Sequence, residues 1–112
     1  SINNGNINLD LQNKYLKILD KEFYLGDLPL IGDHNLQNYS SAILGAYKNG
    51  ISVEASIASL MNFKGVKRRL ELKGKYNNVK IFDDFAHHPT AIKYTADALH
   101  NHFKDKKIFA IV

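Results

Sequence analysis

The chain has 112 residues, 45% hydrophobic and 23% charged, which is an ordinary composition for one globular domain or for parts of two. It contains no cysteine, which excludes disulfides and thiolate metal sites, and no run of roughly 20 apolar residues, which excludes a membrane-spanning helix. The formal net charge is +4, and six cations lie between Lys64 and Lys75. Such a cluster favours either contact with phosphate or a solvated surface.

The two ends of the chain suggest a larger protein. The chain starts at Ser1 rather than at methionine, and it stops inside the apolar run "IFAIV" at residues 108–112. Because an apolar run of this kind is typical of a buried strand, we expect the chain to be a fragment.

The first half of the chain predicts strands followed by helices. Residues 1–12 are polar and rich in asparagine, which predicts a loop, and residues 15–30 predict two short strands with a turn at Asp20-Lys21. A helix is expected between Gly32 and Asn49, because apolar residues recur there at helical spacing. Its inward residues are expected to be Leu36, Tyr39, Ile43, Leu44 and Tyr47.

Ser52 is expected to cap a second helix, because a serine hydroxyl commonly accepts the first free amide of a helix. The residues of this helix that are expected to face inward are Val53, Ile57, Leu60 and Met61. The character of the sequence then changes near Phe63–Gly65, where we place a domain boundary.

The second half predicts a strand–helix–strand unit. Strands are expected over residues 69–75 and 79–82, and Pro89 suits the first position of a helix that ends at residues 104–107. The expected apolar stripe of this helix consists of Ile92, Ala96, Leu99 and Phe103. With a final strand at 108–112, residues 79–112 would form a parallel βαβ unit.

The segment "DDFAHHP" at residues 83–89 would then join the carboxyl end of a strand to a helix start, where open α/β sheets bind ligands. A zinc site is disfavoured, because His87 and His88 are adjacent and diverge. A metal-dependent phosphoesterase is disfavoured too, because Ala86 stands where its Asp-His-His motif needs an acid. The bland alternative is a strand-to-helix corner, in which Asp83 or Asp84 caps locally and His88 is extended because it precedes a proline. Successive carboxylates on a strand point to opposite faces, so at most one of the two would face a ligand.

Two further motifs are weak alone. In "GDHNLQN", Asn35 and Asn38 lie three residues apart at a helix start, so their amides can match the donor–acceptor edge of adenine. Capping and turn formation explain the same residues equally well. In "FKGVKRRLE", an arginine at a strand start can bind phosphate as a planar fork, and the alternative is a basic linker.

Together and in this order, "GDHNLQN", "FKGVKRRLE" and "DDFAHHPTAI" resemble the Mur ligases, the ATP-dependent enzymes that form amide bonds in peptidoglycan assembly. The resemblance implies an α/β fold. Residues 1–63 would be the end of the central ATPase domain, with a strand pair and a helix pair. Residues 64–112 would be the first βαβ part of the Rossmann-like C-terminal domain.

The resemblance also implies roles for single residues. The residues implied for adenine are His34, Asn35 and Asn38. Arg69 would meet ATP phosphate as a catalytic residue, and Asp84 would bind the ribose hydroxyls.

Phe85 would pack on the nucleotide, and His87, a second catalytic residue, would face the acceptor substrate. His88 would serve local structure, together with Asp83 and Pro89. The implied cofactors are ATP and Mg²⁺, whose ligands would lie mostly outside this chain, and no residue of the chain is assigned to a metal.

Two branches of the family share the pattern. One adds L-alanine to UDP-N-acetylmuramate, and the other adds the tripeptide L-alanyl-γ-D-glutamyl-meso-diaminopimelate to the same nucleotide sugar in peptidoglycan recycling. Phe85, Ala86 and Ala91 replace the tyrosine, glycine and glutamate that are usual in the alanine-adding branch, which favours the tripeptide branch.

The resemblance implies a bacterial cytoplasmic enzyme of cell-wall biogenesis, with no membrane or nucleic-acid partner. No phosphate-binding loop of the form Gly-x-x-x-x-Gly-Lys-Ser/Thr occurs here, so we expect these 112 residues alone to be inactive. The alternative from another class is a basic nucleic-acid-binding module, carried by the cluster between Lys64 and Lys75.

Overall fold

The structure is a computed structural model that describes residues 6–112. Residues 1–5 lie outside the described part, so the loop expected there is untested. The chain divides between Phe63 and Lys64 into two compact units. Strands and helices occur in both units, which confirms the α/β class.

The first unit begins with an antiparallel sheet of three strands, β1 (Ile7–Asp10), β2 (Tyr15–Ile18) and β3 (Lys21–Tyr24), in the order β1-β2-β3. The loop predicted over residues 1–12 is therefore wrong at β1. Leu9 is opposite Leu16 in the register, and both are buried, so an inward apolar pair stabilises β1 despite its polar neighbours.

The predicted hairpin between β2 and β3 is confirmed with its turn moved by one residue. Ile18 pairs with Lys21, so the turn consists of Leu19 and Asp20. In β2, Leu16 and Ile18 are buried while Tyr15 is exposed, which is the alternation of a sheet with one face in the core.

Two helices cover this sheet, α1 (Asp33–Lys48) and α2 (Val53–Leu60). The Ser52 hydroxyl accepts the Ala55 amide at 3.2 Å, which confirms the predicted cap. Tyr47 and Met61 are about half exposed, so their predicted inward placement is wrong, because each follows the last buried turn of its helix. The core of the unit contains Leu9, Leu16, Ile18, Leu25, Leu28, Leu36, Tyr39, Ile43 and Val53.

The second unit is a β-hairpin followed by a helix, namely β4 (Glu71–Tyr76), β5 (Val79–Asp83) and α3 (Pro89–His102). Tyr76 pairs with Val79, so the turn consists of Asn77 and Asn78. Both have positive φ, 46° and 67°, which is the geometry of a type I′ turn and one that asparagine tolerates well.

The parallel βαβ unit is not formed. β5 pairs with β4 in antiparallel orientation, and residues 108–112 belong to no strand of the described structure. Ile111 and Val112 are almost fully exposed. Hydrophobicity predicted the strand wrongly because a strand also requires a neighbouring strand for its backbone hydrogen bonds.

α3 begins at Pro89 as predicted, but it ends at His102, before Lys104. Its buried residue is Ala98, whereas Ala96 is exposed, so the predicted stripe is wrong at this position. Phe103 packs near Phe82 of β5, with ring centroids 5.9 Å apart. None of the helices in residues 6–112 is long and apolar enough to cross a membrane.

Tyr39 allows a test of the first unit's core. Its hydroxyl accepts the Leu30 amide at 2.8 Å, and Tyr39→Phe leaves that amide without its acceptor. We expect the substitution to lower the free energy of unfolding by about 1–2 kcal/mol, measured by urea denaturation of the chain near neutral pH. Tyr47→Phe, which alters an exposed hydroxyl on the same helix, should change the stability little.

The buried Tyr39 hydroxyl also predicts that the free energy of unfolding depends on pH. Burial raises the pKa of Tyr39, and the bond from Leu30 offsets part of this effect. Above pH ~10 the unfolded tyrosine ionises before the folded one, so wild-type stability falls as pH rises through that range. Phenylalanine cannot ionise, so the stability difference between wild type and Tyr39→Phe should narrow at alkaline pH. A constant difference would contradict the prediction.

Candidate functional site

The start of α1 carries the residues predicted for adenine. Gly32 precedes the helix with φ 101° and ψ 150°, a conformation that only glycine adopts readily. Its carbonyl accepts the amides of Asn35 and Leu36, each at 3.1 Å. The glycine therefore sets the direction in which the first turn of the helix starts.

The side chain of Asn35 is partly committed to this turn. Its Nδ2 donates to the Ile31 carbonyl at 2.7 Å, which uses one of the two amide hydrogens. The second hydrogen and Oδ1 remain as a donor–acceptor pair, the pattern that an adenine edge requires. His34 and Asn38 lie one turn apart on the same helix, where His34 is half-buried and Asn38 is exposed. Adenine binding by these three residues stays a prediction.

In the second unit, Asp84 connects three segments through its carboxylate. Oδ2 accepts the Leu70 amide at 2.9 Å and the Thr95 hydroxyl at 3.3 Å. Oδ1 accepts the Ala86 amide at 2.7 Å. A carboxylate has about four acceptor positions, so these bonds leave capacity for about one further donor. Ribose binding through Asp84 stays a prediction, and it would use this remaining position.

The Phe85 ring contacts the side chains of Arg68 and His87. The Arg68 guanidinium carbon is 4.8 Å from the centre of the Phe85 ring, and the His87 ring centroid is 5.1 Å away. The Phe85 amide also donates to the Arg68 carbonyl at 2.7 Å. About half of Phe85 is exposed, and its packing on a nucleotide stays a prediction.

His87 is exposed, and its Nδ1 lies 3.1 Å from the Phe85 carbonyl oxygen. Since a carbonyl only accepts, this bond requires the hydrogen on Nδ1. In the neutral ring Nε2 is then an acceptor, which suits a residue that faces an amine.

Arg69 occupies a turn between two fixed neighbours. The Arg68 amide donates to Glu71 Oε1 at 3.1 Å, and the Leu70 amide donates to Asp84. Arg69 itself is exposed, and its amide donates to the Val66 carbonyl at 3.1 Å. The turn thus presents the Arg69 guanidinium to solvent from a fixed backbone.

Residues assigned to the corner do shape it. His88 is the N-cap of α3, where Nδ1 accepts the Thr90 amide at 3.3 Å, and Pro89 is the first helical residue. Asp83 Oδ2 lies 3.7 Å from Arg68 Nε in a partly exposed ion pair. His88 and Pro89 thus act locally, whereas Asp83 and Asp84 both reach the turn at residues 68–70.

The sequence motifs missed two residues of this arrangement, Arg68 and Thr95. Arg68 lies beside Arg69 in the same motif, so its charge was visible but its contact with Phe85 was not. Thr95 lies 11 residues after Asp84, and nothing in local spacing signals their contact.

In residues 6–112, no group of three or more histidine, aspartate or glutamate side chains is arranged to hold a metal ion.

A shallow polar depression of about 290 Å³ lies on the open face of the first unit's sheet. None of the predicted site residues lines it. Its lining residues are Asn8, Asp10, Asn13, Tyr15, Lys17 and Glu22. Asp10 is committed there to Asn13, whose amide hydrogens lower the pKa of the carboxyl. We therefore place the candidate site at the motif residues rather than at this depression.

Comparison with known proteins supports the resemblance to the Mur ligases. Residues 68–112 match the family described as Mur ligase, glutamate ligase domain. The crystal structure of a murein peptide ligase from Psychrobacter arcticus is 37% identical and superposes with a TM-score of 0.51, over 84% of this chain and 20% of that one.

Two curated relatives represent two activities. The UDP-N-acetylmuramate–L-alanyl-γ-D-glutamyl-meso-2,6-diaminoheptandioate ligase of Haemophilus influenzae is 44% identical over 62% of this chain and 16% of its own length. The UDP-N-acetylmuramate–L-alanine ligase of Clostridium acetobutylicum is 44% identical over 76% of this chain and 18% of its own. The chain thus spans less than a fifth of either relative.

Two glycines of the first unit provide a matched test of the helix start. Gly32→Ala places a side chain at φ 101°, and we expect it to destabilise the chain by about 1–2 kcal/mol. Gly45→Ala lies within α1, where an added Cβ meets nothing within 4 Å, and should stabilise the chain by about 0.5–1 kcal/mol. Urea denaturation of both variants measures this, and shifts in the same direction would contradict the geometry at Gly32.

Proposed function

Because this chain belongs to the Mur ligase family, we propose that it is part of an ATP-dependent ligase that joins L-alanyl-γ-D-glutamyl-meso-diaminopimelate to UDP-N-acetylmuramate. Residues 1–63 would belong to the central ATP-binding domain, and residues 64–112 would begin the C-terminal domain. The full-length enzyme would act in peptidoglycan recycling in the bacterial cytoplasm.

One structural observation supports this proposal in addition to the family similarity. The turn at residues 68–70, which contains Arg69, is hydrogen-bonded to residues 84–85 at the end of β5. The Asp84 carboxylate binds the Leu70 amide, and the Phe85 amide binds the Arg68 carbonyl. These two bonds bring an exposed guanidinium, a partly free carboxylate and an exposed aromatic ring onto one connected scaffold. The three groups match the phosphate, ribose and base of a nucleotide.

The proposed reaction begins when the muramyl carboxylate oxygen attacks the γ-phosphorus of ATP, which releases ADP and forms an acyl phosphate. The free α-amine of the tripeptide then attacks the acyl carbon. The tetrahedral intermediate expels inorganic phosphate and the amine loses a proton, which leaves the new amide. Mg²⁺ would neutralise phosphate charge in the full-length enzyme, with ligands that lie mostly outside these residues.

In this proposal the residues of the chain bind and orient the substrates. Arg69 would contact the transferring phosphate, and a fixed guanidinium stabilises charge that develops in the transition state. Nε2 of His87 would face the α-amine, where a neutral imidazole can accept the proton that the amine loses.

The alanine-adding activity is the second candidate of the same family. The Clostridium acetobutylicum relative supports it to the same extent, since both relatives are 44% identical to this chain over the aligned residues. Phe85 favours the tripeptide branch, because a phenylalanine lacks the hydroxyl of the tyrosine usual in the alanine-adding branch.

Nucleic-acid binding is less well supported by the structure. Arg68 is paired with Asp83 and with the Phe85 ring, and Lys73 is 3.8 Å from Glu71. Internal partners thus reduce the charge that the basic cluster offers to a phosphate backbone.

A substrate comparison with the full-length protein tests the proposal. The enzyme would be incubated with ATP, Mg²⁺ and UDP-N-acetylmuramate, with either the tripeptide or L-alanine, and released phosphate would be measured. Greater turnover with the tripeptide is expected, and greater turnover with L-alanine would assign the other branch. The 112-residue chain alone is expected to release no phosphate, and ligation by it would overturn the proposed division of the site.

Arg69→Ala in the full-length enzyme should lower kcat by about tenfold to a hundredfold, because a fixed charge on the transferring phosphate is removed. Lys67→Ala is the matched control, since it removes an exposed cation two positions before Arg69. Steady-state kinetics with saturating ATP distinguishes the two variants. Equal effects would show that Arg69 acts only through net charge.

A further inference from the structure

The turn that carries Arg69 has an unfavourable backbone. Arg68 and Leu70 have φ values of 58° and 50°, in the left-handed region that residues with a side chain rarely adopt. Contacts from elsewhere must therefore maintain the turn. The structure provides the bond from the Leu70 amide to Asp84 Oδ2 and the bond from the Phe85 amide to the Arg68 carbonyl.

The bond from the Leu70 amide to Asp84 can form only if the carboxylate is held in the correct orientation. Asp84 follows directly after β5, and its Oδ1 binds the Ala86 amide only two residues away. A local bond of this kind does not by itself orient Oδ2 toward Leu70. The Thr95 hydroxyl, on the second turn of α3, donates to the same Oδ2 at 3.3 Å. It therefore connects the carboxylate to the helix.

The choice of threonine at this position supports a specific use of its hydroxyl. Threonine is a poorer helix former than alanine or leucine, and position 95 lies well inside α3. A helical threonine commonly satisfies its hydroxyl with a carbonyl of the preceding turn. Here the half-buried hydroxyl donates instead to a carboxylate of another segment, across 3.3 Å.

We propose that Thr95 is a positioning residue for nucleotide binding, which holds Asp84 so that the carboxylate both maintains the Arg69 turn and presents its free acceptor position to the ligand. Thr95 itself touches no substrate in this proposal. The inference rests on the proposed function, since Asp84 and Arg69 are taken as nucleotide contacts. It adds that one hydroxyl of α3 couples the two.

The structural half is tested by hydrogen–deuterium exchange of the full-length protein, read by mass spectrometry on peptides that span residues 66–72. Thr95→Val removes the hydroxyl with nearly the same shape, and the Leu70 amide should exchange about threefold to tenfold faster. Thr95→Ser keeps the hydroxyl and should exchange like wild type. Unchanged exchange in Thr95→Val would overturn the proposal.

The functional half is tested by steady-state kinetics of the same proteins. Thr95→Val should raise the KM for ATP about threefold to tenfold with a smaller change in kcat, and Thr95→Ser should restore the wild-type KM. Asp97→Asn, which removes an exposed partner of Lys93 on the same helix, is the control for a general loss of helix stability and should leave KM unchanged.

The ligation, exchange and KM measurements can reject the role of Thr95 and the proposed function independently. A full-length wild-type protein that performs no ligation would reject the proposed function, while the exchange experiment still decides whether Thr95 holds Asp84. An active enzyme in which Thr95→Val has a wild-type KM would reject the positioning role alone. A rise in KM that Asp97→Asn or Thr95→Ser shares would also reject it, because helix stability or the methyl group would then be responsible.

Discussion

The Asp84 carboxylate is the interaction on which the second unit's candidate site depends. It accepts hydrogen bonds from the turn before β4, from the loop after β5 and from α3. The second unit has little apolar core, since Ala98 is its buried hydrophobic residue. Polar contacts to one partly buried carboxylate therefore join these segments in addition to the packing of Phe82 near Phe103. A carboxylate suits this because one group accepts several donors.

The first unit is organised differently. Its core of leucine, isoleucine and valine side chains, with Tyr39 among them, lies between the sheet and two helices. The residues predicted for adenine lie on the first turns of α1, and Leu36 in the same turns is buried in that core. Packing thus fixes the helix, and Gly32 fixes its starting direction. One unit presents its polar groups from an apolar core, and the other presents them from a hydrogen-bonded corner.

The role of Asp84 also changes how its motif is interpreted. A carboxylate that binds a ribose and a carboxylate that shapes a corner were alternatives for "DDFAHHP", and the structure shows the second without using every acceptor position. Asp83, by contrast, pairs with Arg68 beside the Phe85 ring. The two adjacent aspartates thus contact the same turn through different groups, Asp83 through the Arg68 side chain and Asp84 through the Leu70 amide.

The sequence by itself determined the features that depend on neighbours along the chain. The Ser52 cap of α2 and the start of α3 at Pro89 follow from contacts within about one helical turn. Only the tertiary structure decided that Asp84 meets Leu70 and Thr95, which lie 14 and 11 residues away, and that residues 108–112 form no strand. Such outcomes depend on which segments become neighbours in space, and neither periodicity nor hydrophobicity specifies the partner.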